Sequence, residues 1–263
     1  MQSITLTEAA MSAIDVPFAD ADFRHLRISV GACRLRIGPD GGDHWATGVY
    51  EDPGGQAPLA IEQADGDVRI HQQWDVARVF GIASGPPTLS LSLGGARQYA
   101  LTIETGASEA VLDLGGLPLT RLTLRLGATN TKIDFSAPNP TEMERLDLTV
   151  GAADTGVRNL ANANAVSLLV EGGAAAYTLD FGGTLQRNLE ARITAGMTSV
   201  ELDVPLGTPA RIYSETVLGS VDVGDGWMKQ GGAFVNAAAL ADGTPILTVH
   251  ANLALGQLRL RVS

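Results

Sequence analysis

Apolar and polar residues alternate along most of this chain in short runs broken by glycine. LSLSL (89–93), LTLRL (122–126), LDLTV (146–150) and VELDV (200–204) all follow a two-residue period. That period predicts strands with one buried and one solvated face. The runs also keep a longer rhythm. Gly106, Gly127, Gly151, Gly173 and Gly196 serve as anchors separated by 21, 24, 22 and 23 residues. Three positions before each anchor stand Ile103, Leu124, Leu148, Val170 and Ile193, and five before stand Leu101, Leu122, Leu146, Leu168 and Ala191. Six positions after come Leu112, Ile133, Val157, Leu179 and Leu202, and directly after come Ala107, Ala128, Ala152, Ala174 and Met197.

A unit of about 22 residues cannot bury its own apolar face, so neighbouring units must stack. The predicted fold is therefore all-β, a β-solenoid of seven or eight coils at about 4.8 Å per coil. Aliphatic ladders fill its interior and the anchor glycine turns its corner. A β-sandwich of similar strand count is the alternative. Weaker units place Gly31 at a corner near the start, Glu215 at one near residue 215 and Asn252 at one near residue 252.

The regular repeat core spans 89–223. Residues 1–88 read as a strand-rich region continuous with it, with Pro86-Pro87 the plausible seam, and 224–263 as an excursion loop followed by a capping coil. Asp65-Gly66 between alternating runs predicts a tight hairpin. The helix candidates are short, at 7–13 and 236–242.

Composition narrows the functional classes. A net charge of -11 repels phosphates and so argues against nucleic acid and anionic lipid. Cys33 is the sole cysteine, which leaves no disulfide within the chain and no thiolate metal cage. No run reaches the ~18 apolar residues of a membrane helix. The start, MQSITLTEAAMSA, lacks signal-peptide layout. A chain that does not itself insert into a membrane is expected, in the cytoplasm or at the cytoplasmic face of the membrane.

The stretches AVLDLGGLPLTRLTLRLGATNTKIDFSAPNP (110–140), LLVEGGAAAYTLDFGGTL (168–185) and ITAGMTSVELDVPLG (193–207) resemble the toast-rack β-repeat family. The likeness includes the C-terminal domain of LiaF-like cell-wall-active antibiotic response proteins, and FRHLRISVGACRLRIG (23–38) fits that family's opening unit. The resemblance implies an all-β solenoid-like fold, no enzymatic activity and, in LiaF-like members, a regulatory role in envelope-stress signalling; no cofactor is expected. It brings no catalytic residue with it.

Seven positions after each anchor the chain carries Asp113, Asp134, Arg158, Asp180, Asp203 and, counting from Glu215, Asp222. In register, these form an outward polar column. Such a column suggests a divalent cation or the acid/base pair of a carbohydrate-active β-helix. One carboxylate per rung is too few for a hard cation, which takes six to eight oxygens, and the column contains no base besides Arg158. Alternation alone accounts for a polar residue there, and this is the favoured reading. The histidines, His25, His44, His71 and His250, show no metal-ligand spacing. No nucleophile elbow, P-loop or dinucleotide fingerprint occurs.

Apolar residues outside the repeat are Trp227, Met228 and Phe234 in the excursion, and Trp74 and Phe80 further upstream. They cap an open end of the stack or meet a protein partner. The sequence thus predicts a non-catalytic scaffold or protein-interaction module that binds a protein partner or itself. A self-assembling, adhesin-like structural protein is the first alternative and a carbohydrate-active enzyme the second.

Overall fold

The computed structural model of the chain describes residues 2–6, 11–18, 21, 24–55, 57–73, 85–241 and 245–263. Two strands, β1 (Gln2–Leu6) and β2 (Met11–Pro17), precede the first coil, β3 (His25–Val30) with β4 (Arg34–Gly38). Strands β5 (His44–Glu51) and β6 (Leu59–Ala64) lead to a second coil, β7 (Asp67–Gln72) with β8 (Thr88–Leu93). The regular coils are β9 (Tyr99–Asp113), β10 (Leu119–Asp134), β11 (Met143–Val150) with β12 (Asp154–Arg158), β13 (Ala165–Gly172) with β14 (Ala175–Asp180), and β15 (Leu189–Val204). Then come β16 (Ala210–Val223), β17 (Trp227–Gln230), β18 (Ala233–Asn236) and β19 (Leu247–Val262).

Each coil is bent at its corner into two arms, and successive coils pair in parallel, residue on residue. Leu122 stands beside Leu101 and Leu146, Leu146 beside Leu168, and Leu168 beside Ala191. Beyond the corner, Ile133 stands beside Leu112 and Val157, which continues to Leu179 and Leu202. The two-residue period sends all of these to the same side, and all are buried. The result is a β-solenoid with two sheet faces around one continuous apolar core that runs from Ile14 to Leu260. Burying one such leucine contributes roughly 1.5–3 kcal/mol, and the ladder repeats it at every coil.

Glycine at the corner is a matter of clearance. A methyl group added to Gly127 would lie 2.5 Å from the carbonyl oxygen of Gly106 in the coil below. At this corner the two backbones are too close for a side chain. Asp65 and Gly66, both with positive φ, form the two-residue turn joining β6 and β7, with Ala64 opposite Asp67.

The side opposite the glycine corner is closed by loops held by buried asparagines. Asn162 Nδ2 donates to the Phe135 carbonyl at 2.9 Å, and the Thr184 N–H donates to Asn162 Oδ1 at 2.9 Å. Asn164 Nδ2 donates to the carbonyls of Asn139 and Thr141 at 3.1 and 3.0 Å. Asn162 thus ties its loop to the loops before and after it, and Asn164 ties its loop to the one before, supplying partners for backbone groups that would otherwise be buried unpaired.

Both ends of the stack depart from sequence order. β3 and β4 lie between β9 on one side and the later coil β7/β8 on the other. At the far end β19 lies between β15 and β16 from Leu247 to Leu260. Among the described residues, three of the four sheet ends then finish in antiparallel strands. On the first face β6 and β1 follow β7, and the β18–β17 hairpin follows β16; on the second face β5 and β2 follow β8.

Three sequence expectations change in this part of the chain. Gly196 falls between pairs that align Ala195 with Leu253 and Met197 with Leu255, so its counterpart in β19 is Ala254 and in β16 Val217. Glu215 pairs with Asn252, which pairs in turn with Thr194, two residues before the corner. In these two coils the close-packed glycine is displaced beyond the corner, to Gly219 and Gly256, which misled a reading anchored on glycine position. The helix expected at 236–242 is a 3-10 turn, Ala237–Leu240, capped by Asn236, whose side chain accepts from the Ala239 N–H; residue 242 lies outside the described residues. Of the helix expected at 7–13, residues 7–10 lie outside the described residues and Met11–Ala13 open β2.

Candidate functional site

The polar column assembles from the second arms of the coils. Asp134 stands between Asp113 and Arg158, and Asp180 beside Asp203. Asp222 is not part of it: it pairs with Arg259, which continues to Glu201, one outward position nearer the corner. Its misassignment follows from the two-residue error at Glu215. The residue that continues the column from Asp203 is Arg261.

Three of the column's carboxylates, Asp113, Asp134 and Asp180, are occupied by the turns that end these strands. Asp113 accepts from the Gly115 N–H at 3.1 Å and from Ser136 Oγ at 2.8 Å. Asp180 accepts from the Gly182 N–H at 2.7 Å, two residues on, as Asp113 does. Asp134 accepts from Asn159 Nδ2 at 2.7 Å. Each of these three carboxylates holds the chain as it leaves the sheet, whereas one oxygen of Asp203 is buried with no hydrogen-bond partner among the described residues. Among the described residues no three His, Cys, Asp or Glu side chains gather closely enough to hold a metal ion.

Other reactive groups are similarly engaged. Burial pushes the Cys33 thiol up to about 12, so it stays protonated near neutrality and is a poor nucleophile. His25 is half-buried, with its ring 2.9 Å from the Thr102 hydroxyl. Burial, aided by the Arg27 charge, lowers its pKa and favours the neutral ring. His44 meets the Asp15 carboxylate at 3.2 Å, and His250 stacks on Tyr213.

A different kind of site forms at the C-terminal end. Met197, Leu255 and Leu218 are neighbours in one corner row, Val217 adjoins Leu218, and all four are exposed. Earlier rungs of that row carry Ala107 and Ala128. Val217 and Leu218 are 80% and 68% exposed, in contrast to the buried apolar ladders behind them. Isolated exposed apolar residues are unremarkable, but a contiguous group is a mark of an interaction surface.

This corner opens onto a bare strand edge. The second arm of β16, residues 216–223, pairs with β19 on one side and with no strand among the described residues on the other. Val221 and Val223 stand beside the buried Leu258 and Leu260 but are themselves only half-buried, because no further coil covers them. Sequence reasoning missed this edge. Its signal was the change from Ala to Met and Leu after the corner.

The sequence-predicted aromatic residues divide. Trp227 and Phe234, in the hairpin that finishes the first face, are half-buried against the core, whereas Met228 is exposed. Trp74 and Phe80 lie outside the described residues.

No curated protein sequence matches the chain. Among solved structures it is similar to a candidate cell-adhesion protein from Clostridium sporogenes ATCC 15579, at 14% identity over 96% of this chain and 99% of that one, with a TM-score of 0.49. It is also similar to a candidate adhesin from Bacteroides fragilis NCTC 9343, at 9% identity over 98% of this chain and 97% of that one, with a TM-score of 0.45. Residues 6–144, more than half of the chain, match the family model described as the N-terminal domain of toast_rack, DUF2154. The protein belongs to the toast-rack family.

Proposed function

We propose that this protein is a non-catalytic β-repeat scaffold that binds another polypeptide at the C-terminal end of its stack, in regulation at the bacterial cell envelope. The observation that carries the reading is the bare second arm of β16 beside Val217, Leu218, Leu255 and Met197. An unpaired row of backbone groups flanked by apolar side chains is suited to strand addition. The engagement of Asp113, Asp134 and Asp180 in turns supports the absence of catalysis, as does the protonated Cys33 thiol. The envelope-stress setting draws on the likeness of residues 110–140, 168–185 and 193–207 to LiaF-like proteins.

Complementation tests this reading in the parent bacterium. Deleting the gene should alter the transcriptional response to a cell-wall-active antibiotic. A chain carrying Asp113→Asn and Asp134→Asn should restore it, and one carrying Val217→Asp and Leu218→Asp should not, with both variants shown to fold by their circular dichroism melts. An unchanged response on deletion, or restoration by the corner variant, would count against the reading.

A further inference from the structure

We infer that the open edge of β16 is closed by the same edge of a second copy, running antiparallel across a two-fold axis that joins the second sheet faces of two molecules. This deepens the reading above by naming the occupant of the site. Three observations carry it.

The first is the pattern of the sheet ends. Among the described residues the other three ends finish in antiparallel strands. A two-fold axis through β16 supplies the missing antiparallel strand, since a strand meeting its own copy across such an axis runs antiparallel to it.

The second is the direction of the backbone groups. The Gly224 N–H donates to the Leu260 carbonyl at 2.9 Å, so Gly224 turns its polar groups toward β19. Along a paired strand successive residues alternate sides. Residues 219, 221 and 223 therefore turn their N–H and C=O groups to the open side. An antiparallel copy centred on Val221 pairs Val221 with itself and Gly219 with Val223 through those groups.

The third is complementarity within that register. Val221 meets Val221 on the inner face, extending the apolar layer where it is half-covered. On the outer face Ser220 falls opposite Asp222, so a hydroxyl donor meets a carboxylate acceptor. Leu218 falls opposite Gly224, which has no side chain to obstruct it. Asp222 is the only charged residue in 216–223, and Arg259 holds it at 3.2 Å, so a chain of net charge -11 brings no carboxylate against another at this edge. Exposed edge strands are usually guarded by lysine, proline or inward charge, and this one has none of these on its open side.

Sedimentation velocity over a concentration series gives the test, with the full chain and three variants. The wild type should form a dimer whose population rises with concentration. Val221→Pro removes an outward N–H that β19 does not use and should leave a folded monomer. Ser220→Asp sets carboxylate against carboxylate in two symmetric places and should weaken the dimer about tenfold. Combining Ser220→Asp with Asp222→Ser re-creates the complementary pair in the opposite sense and should restore the dimer to within about threefold. A wild type that stays monomeric, a dimer indifferent to Val221→Pro, or failure of the exchange to restore association overturns the inference. A monomer whose corner variant still fails to complement would remove the self-pairing and keep the proposed function. A dimer whose corner variant complements normally would do the reverse.

Discussion

At Gly127 a single added methyl group tests how closely the corner backbones approach. Its Cβ would meet the Gly106 carbonyl oxygen at 2.5 Å, and its nearest neighbours are all backbone atoms of Thr105 and Gly106, which leaves little room to yield. Gly127→Ala should destabilise the fold by about 1–3 kcal/mol in urea unfolding. Gly156→Ala, with nothing within 4 Å of the added atom, should stay within about 0.5 kcal/mol of the wild type. Cys33 supplies a second measurement. Its buried thiol, pushed up to about 12, should resist a thiol-titrating reagent at neutral pH and react stoichiometrically once urea unfolds the chain. His25 sets a pH dependence. Its folded pKa lies below the ordinary 6.5, so the unfolded chain binds the extra proton first. The stability from the neutral ring is complete above pH 6.5 and is lost as the pH falls below it. Melting temperatures at pH 7.5 and 5.5 should therefore differ more for the wild type than for His25→Gln.

At the scale of the element, the legibility of the sequence follows from what is local. The ladder through Leu101, Leu122, Leu146 and Leu168 could be read directly, because a two-residue period and a glycine corner are both encoded within each coil. The register of β16 and β19 could not, because their close-packed glycines, Gly219 and Gly256, lie past the corner instead of on it. That one shift moved Asp222 into a column it does not join. The buried asparagines Asn162 and Asn164 also escaped notice, since a polar residue reads as surface until its backbone partners are known. They give a prediction of their own. Asn162→Ala leaves the Phe135 carbonyl and the Thr184 N–H without this partner, and should cost about 1–3 kcal/mol in urea unfolding.

Over the whole molecule, the order of the coils is the feature that no local pattern announces. Any strand with inward aliphatics fits any rung, so the insertion of β19 between β15 and β16 is decided by the return of the chain through β17 and β18. That insertion leaves the second arm of β16 outermost, and the proposed function rests on this placement. Hydrogen exchange read residue by residue at low protein concentration tests it most directly. Amides of β19 at 257–260 should be strongly protected on both sides of the strand, while those of Gly219, Val221 and Val223 exchange fast and gain protection as concentration rises. Fast exchange throughout β19, or strong protection of all three β16 amides in the dilute monomer, would contradict the placement of β16 at the open end and the binding role built on it.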